Sequence, residues 1–336
     1  MAEQFNYRSV LAPYMNGLLK LKQAASIGSL RLKWIFLEFD RFMTENCIED
    51  TYITREIISR WRETRKNDCE RTIYAKYSAW SQLTKYMNRQ GIQCHVPQLP
   101  KESTTDRGFV PYIFTHVQVK DIFSAIDSTV MGDRHMDTSL IAMPTLFRLL
   151  YSTGLRISEA LSIRNSDLRL EEGYIMIRKT KNGHERIAPI CESMKAVLIQ
   201  YLYHRNRMPL KGVAEPGALL FIKADGLPFK SNAAYNWFKR TLAKCNIKHI
   251  GNHYGPRQHD LRHTAACHAL MRMSDNGLDP YAGLPILCAF MGHRSLAATE
   301  QYVRLTTEMY PELAAKANPI NAFIYPRTPE GYSHEN

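Results

Sequence analysis

The sequence has 336 residues, long enough for two domains of ordinary size, and its 45% hydrophobic and 23% charged residues describe a globular chain rather than a disordered one. Lys and Arg number 44 against 32 Asp and Glu, a formal net charge of +12 that points to a polyanionic partner, nucleic acid ahead of an anionic membrane. Seven scattered cysteines with no Cys-x-x-Cys pair argue against a disulfide framework or a cysteine zinc site. The absence of a signal-like N-terminal run, or of about 18 consecutive apolar residues, predicts a cytoplasmic protein with no membrane span.

The first ninety residues read as helices. Val10, Leu11, Tyr14, Leu18 and Leu21 recur at near-helical spacing over 8–24. Ser29 stands as a cap before a stripe of Leu32, Ile35, Phe39 and Phe42. Shorter and longer stripes follow over 54–66 (Ile57, Ile58, Trp61) and 70–89 (Ile73, Tyr77, Trp80, Leu83, Met87). These apolar residues read as core, and the interspersed Lys and Arg are the candidates for phosphate contact. Gly91, Pro97, Pro100, Pro111 and the polar run KESTTDRG then break the pattern. The expected organisation is a helical domain over 1–95, a linker over 96–112, a second domain over 113–310 and a tail over 311–336.

In the second domain Thr115 is placed to cap a helix running to about Ala125. Another helix spans 138–152 and ends at Gly154, with Pro144 requiring a late start or a kink, and a short one runs from Ser158 to about Ile163. The period then changes. GYIMIRKT and ERIAPI alternate on either side of Asn182-Gly183, a β-hairpin signature. Helices resume over 191–204, 231–245, 260–273, 284–291 and 295–303. The expected class is mainly α with a small β-sheet (α+β).

Four segments carry candidate chemistry. In TGLRISEAL, Gly154 ends a helix and sets Arg156 at the start of the next, where its fork of donors suits a phosphate. Glu159, one turn on, is placed to orient it; the ordinary alternative is a surface Arg–Glu pair. Lys179 and Lys181 lie just before the Asn182-Gly183 hairpin tip, which is otherwise a solvated loop. In HDLRH, His259, Arg262 and His263 share one helix face. They are either buried histidines or, less fittingly, zinc ligands, since Asp260 replaces the usual Glu and no third ligand is evident. In MGHRSLAATEQY, Tyr302 follows nine residues after His293, in a place where a tyrosine is ordinarily filler.

Together these segments resemble the tyrosine recombinase, or phage integrase, family. That family's catalytic domain carries an Arg after a T-G-x-R turn, a Lys in a β-hairpin, an H-x-L-R helix, an L-G-H motif and then a Tyr. The matching positions are Arg156, Lys181, His259 with Arg262, His293 and Tyr302, in the same chain order. The stretches RLLYSTGLRISEALSI and RKTKNGHERIAPI extend the likeness, which covers about 112–310. The N-terminal part resembles the family's helical core-binding DNA-binding domain in pattern alone. Met291 stands where the family usually has Leu, the segment 273–285 is longer than in typical members, and Val-Arg-Leu follows Tyr302 where many relatives have a His nearby. The surroundings of YVRLT and YPEL look most like transposon-borne recombinases.

The resemblance implies a site-specific recombinase that cuts and rejoins double-stranded DNA through a 3′-phosphotyrosine on Tyr302, with no cofactor and no metal. Arg156 and Arg262 would clamp the non-bridging oxygens. His259 and His293 would add donors, with His259 also accepting the Tyr302 proton, and Lys181, ahead of Lys179, would protonate the departing 5′-oxygen. It further implies a homo-oligomer, a tetramer, on DNA, with the tail either passed between protomers or folded back on its own domain, and with an accessory recombinase or host factor left open. The alternatives are a type IB topoisomerase-like enzyme and a catalytically inactive DNA-binding accessory protein.

Overall fold

The computed structural model describes residues 5–25, 27–101, 111–130, 137–178, 185–249 and 255–309. The chain forms two compact units, Met1–Gly108 and Phe109–Asn336.

In the first unit the four expected stripes become α1 (Ala12–Ala24), α2 (Leu30–Glu45), α3 (Arg55–Glu63) and α4 (Glu70–Arg89). Thr54 starts α3 by accepting a hydrogen bond from the Ile57 N–H, whereas Ser29 precedes α2 without a side-chain capping bond. The core is aromatic. Phe39 stacks on Trp80 with ring centroids 3.8 Å apart and meets Trp61 edge-on at 5.2 Å. Leu21, expected in the stripe of α1, is exposed, while Met15 and Leu19 are buried in its place.

The second unit opens with α5 (His116–Asp127), held by a reciprocal capping box between Thr115 and Gln118. Next come a 3-10 turn (Leu140–Ala142) and α6 (Met143–Thr153). Pro144 lies in the first turn of α6, where its missing N–H costs no helical bond. Gly154, at φ +60°, ends α6, and α7 is shorter than expected, Ile157–Ala160. The sheet is β1 (Leu168–Arg169), β2 (Tyr174–Ile177) and β3 (Arg186–Pro189), antiparallel in that order. Ile175 pairs with Ala188 and Ile177 with Arg186; the Asn182-Gly183 turn lies outside the described residues. The two-residue β1 has no counterpart in the sequence reading.

The helices α8 (Glu192–Asn206), α9 (Ser231–Lys244), α10 (Asp260–Asp275), α11 (Pro280–Met291) and α12 (Ala297–Met309) complete the unit. α11 starts four residues before the expected 284 because Asp279 caps it, accepting from the Tyr281 and Ala282 N–H groups at 2.8 and 3.1 Å. The larger core lies around α6, with Leu146, Phe147 and Leu150 buried. A second core joins Ala266, Cys267 and Leu270 of α10, Leu284, Leu287 and Met291 of α11, and Tyr302, Val303 and Leu305 of α12. That second core fixes Tyr302 against α10.

Candidate active site

Two glycines bring the motifs together. Gly154 and Gly292 each end a helix in the left-handed conformation, at φ +60° and +64°. A Cβ at Gly154 would lie 2.7 Å from Met291 Sδ, and one at Gly292 would meet the Arg186 side chain. At the turn before Arg156 and the turn before His293 a side chain would therefore fit only if the Met291 or Arg186 side chain moved. Arg262, rising from the first turn of α10, fastens both: Nη1 donates to the Gly154 carbonyl and Nη2 to the Met291 carbonyl, the latter at 2.7 Å. Its residue is 2% exposed, and burial, followed by the nearby charge of Arg156, lowers its pKa to about 10, so it stays cationic at neutral pH.

Arg156 is held by Glu159 at 2.9 Å, and Glu159 also accepts from the Arg156 backbone N–H at 3.0 Å. Glu159 is fully buried and takes a second ion pair, from Arg186 Nη2 at 2.9 Å. The carboxylate that the sequence offered either to orient Arg156 or as half of a surface pair is buried and is the shared anion of two guanidiniums. Despite its burial, its hydrogen bonds and those two cations hold its pKa below the ordinary value. Arg186 also reaches the Phe290 carbonyl from β3, so the hairpin is tied to the end of α11.

Tyr302 is 1% exposed. Its ring lies nearly parallel to that of His293, centroids 6.0 Å apart, and its hydroxyl is 2.9 Å from His263 Nδ1. His293 Nδ1 is 2.8 Å from the buried Thr299 hydroxyl. His259 stands edge-on to His263 with centroids 4.9 Å apart and is exposed at the rim. Burial first, then cationic and imidazole neighbours, pushes His263 down to about 3 and His293 to about 4; His259 shifts in the same direction. Burial pushes the Tyr302 phenol up to about 12, against the pull of Arg262 and Arg156. The resting cleft thus holds charged guanidiniums, neutral imidazoles and an un-ionised phenol.

Five of the six sequence candidates, Arg156, His259, Arg262, His293 and Tyr302, converge here. Lys181, with its runner-up Lys179, lies outside the described residues. Among the described residues no group of three His, Cys, Asp or Glu side chains is placed to hold a metal ion.

Residues 113–309 match the model of the phage integrase family. The chain belongs to the phage integrase family. This tyrosine recombinase is 27% identical over 244 residues to the tyrosine recombinase XerA of Pyrococcus furiosus, a match covering 71% of this chain and 70% of XerA. Its fold resembles that of the XerH site-specific recombinase in a post-cleavage complex with palindromic difH substrate, at a TM-score of 0.62 and 19% identity, over 90% of this chain and 84% of that one. It also resembles the Tn1549 transposon integrase bound to transposon right-end DNA, at a TM-score of 0.57 and 18% identity, over 90% and 100% of the two chains.

Two residues of this recombinase's cleft carry more than the sequence showed. Arg186 is a member of the site through Glu159, a contact spanning 27 positions that no local motif displays. His263, visible only as a third residue on the HDLRH face, is the one that meets the Tyr302 hydroxyl, not His259. The signal for His263 in the sequence is its place beside Arg262 on the face shared with His259.

Proposed function

We propose that this enzyme cuts and rejoins double-stranded DNA at specific sites, with Tyr302 as the nucleophile. The observation that carries the reading is the buried Tyr302 hydroxyl, 2.9 Å from His263 Nδ1, with the His293 ring alongside and the charges of Arg262 and Arg156 acting on it. Tyr302 Oη attacks the phosphorus, the bond to the 5′-oxygen breaks, and a 3′-phosphotyrosine keeps the bond energy for resealing by a 5′-hydroxyl of another strand. Arg156 and Arg262 stabilise the negative charge that builds on the non-bridging oxygens. Both are anchored before substrate arrives, so no reorganisation is needed at the moment of reaction. His293 Nδ1 and the Thr299 hydroxyl share a hydrogen bond, and in the tautomer where the hydroxyl donates, neutral His293 carries its proton on Nε2 and offers it to a phosphate oxygen. His259 adds a donor at the rim. Lys181 protonates the departing 5′-oxygen.

These assignments leave no step for a cofactor or metal. The first unit is the core-binding domain that grips the duplex, and the enzyme acts as a tetramer on DNA, in the cytoplasm. Among the described residues no helix is long and apolar enough to cross a membrane. Residues 311–336, proposed as the segment passed to a neighbouring protomer, lie outside the described residues.

The test is covalent trapping. A duplex selected for binding from a random pool, nicked beside the cleavage point, should give a slow-migrating protein–DNA adduct on a denaturing gel, in EDTA as well as without it. Tyr302→Phe should give none. An adduct with that variant would overturn the assignment.

A further inference from the structure

The Tyr302 proton must leave as the new bond forms, and the hydroxyl's hydrogen-bond partner is His263 Nδ1, at 2.9 Å. Nothing local in the chain makes this contact; 39 positions separate the two residues. It is set by packing, because α10 and α12 are locked by Cys267 and Leu270 against Val303 and Leu305. His263 follows Arg262, whose guanidinium is tied to two backbone carbonyls, and its ring is wedged edge-on to His259 at 90°. The imidazole is therefore positioned before DNA arrives.

A neutral imidazole has one N–H and one lone pair. With the proton on Nε2, Nδ1 accepts from the phenol. We propose that His263 is the general base of strand cleavage, taking the Tyr302 proton on Nδ1 as Oη bonds to phosphorus. This deepens the reading of Tyr302 as nucleophile and rests on it. The step balances. The O–H electron pair becomes the Oη–P bond, the proton moves to His263, and the electron pair of the broken P–O bond leaves on the 5′-oxygen, which receives its own proton from Lys181. On resealing, His263 returns the proton to the departing tyrosine oxygen. Without DNA the transfer is steeply uphill, since His263 sits near 3 and Tyr302 near 12. Burial is the main cause of the low imidazole basicity, with His259 and Arg262 next; a phosphodiester entering between Arg156 and Arg262 offsets the Arg262 charge, and the charge growing on phosphorus favours the imidazolium further.

The test uses the full chain and the nicked duplex, with single-turnover cleavage followed from pH 6.5 to 9. His263→Ala should bind DNA as tightly as the parent but cleave about 10²–10⁴-fold more slowly at pH 7. The deficit should shrink as pH rises, because solvent hydroxide replaces the missing base. It should shrink again with 3-fluorotyrosine at position 302, a more acidic phenol. A 5′-bridging sulfur, which leaves without a proton, should not relieve it. His263→Asn, which keeps a hydrogen-bonding group facing the phenol but is no base, should behave like His263→Ala and serves if the alanine variant does not fold. Cleavage within threefold of the parent in either variant would overturn the proposal. So would a deficit that neither pH nor the fluorinated tyrosine alters, which marks a structural role alone. Failure of the Tyr302 assignment would look different: an adduct surviving Tyr302→Phe.

Discussion

The buried histidines couple charge to stability. An exposed histidine titrates near 6.5 in the unfolded chain, but His263 is held near 3, and His268 and His293 near 4, by burial first and by neighbouring charged or imidazole groups second. Below pH 6.5 the unfolded chain takes up protons that the folded chain refuses, so stability falls as pH drops from about 6.5 toward the folded values. Each group contributes at most ~1.4 kcal/mol per pH unit to that slope. Asp260 acts in the opposite sense. Burial raises it to about 6, so the penalty for its buried charge is present above pH 6 and relieved as pH falls through that value. The histidines are more numerous and their window is wider. The melting temperature of the second unit should therefore fall steadily from pH 7 to pH 4.5. A flat profile over that range would mean the imidazoles are solvated in the folded state.

At the scale of elements, the site depends on two helix ends stopping in the same way. Gly154 and Gly292 both adopt positive φ, where a Cβ costs roughly 1–2 kcal/mol from backbone strain alone. At Gly292 the added methyl would also displace Arg186, and with it one of the two guanidiniums on Glu159. Gly292→Ala should lower stability by more than about 1 kcal/mol and slow adduct formation, because His293 follows directly. A variant with parental melting temperature and rate would show that the turn has slack.

The helices themselves were largely legible in the sequence. The stripe over 70–89 became α4 with those bounds, Thr115 capped α5, and Pro144 fell in the first turn of α6, since periodicity and caps act over a few residues. β1, two residues long, offers no periodicity to read. α12 runs on to Met309 because Val303 and Leu305 pack into the second core, a tertiary cause that a local pattern does not display. Arg186 and the His263–Tyr302 contact were hidden for the same reason: both are long-range meetings of side chains whose own neighbourhoods look ordinary.

For the whole molecule, the separation of the cores decides what a fragment can do. Among the described residues, the aromatic core of the first unit draws on residues 7–94 and the two cores of the second unit draw on residues 113–305, so each unit has a core of its own. The positive charge is also shared: Met1–Gly108 holds 17 Lys and Arg against 12 Asp and Glu, so both units contribute to attraction for a phosphate backbone. A fragment spanning 109–336 should fold with a single cooperative transition. It contains Arg156, Lys181, His259, Arg262, His293 and Tyr302, so it should still form the tyrosine adduct on nicked DNA at high protein concentration. Its affinity should be weaker, however, and the slope of log affinity against log salt shallower than for the full chain, because fewer counterions are released on binding. Binding as tight and as salt-dependent as that of the full chain would show that the helical unit does not touch DNA. A folded fragment that makes no adduct at any concentration would show that the first unit completes the cleavage site.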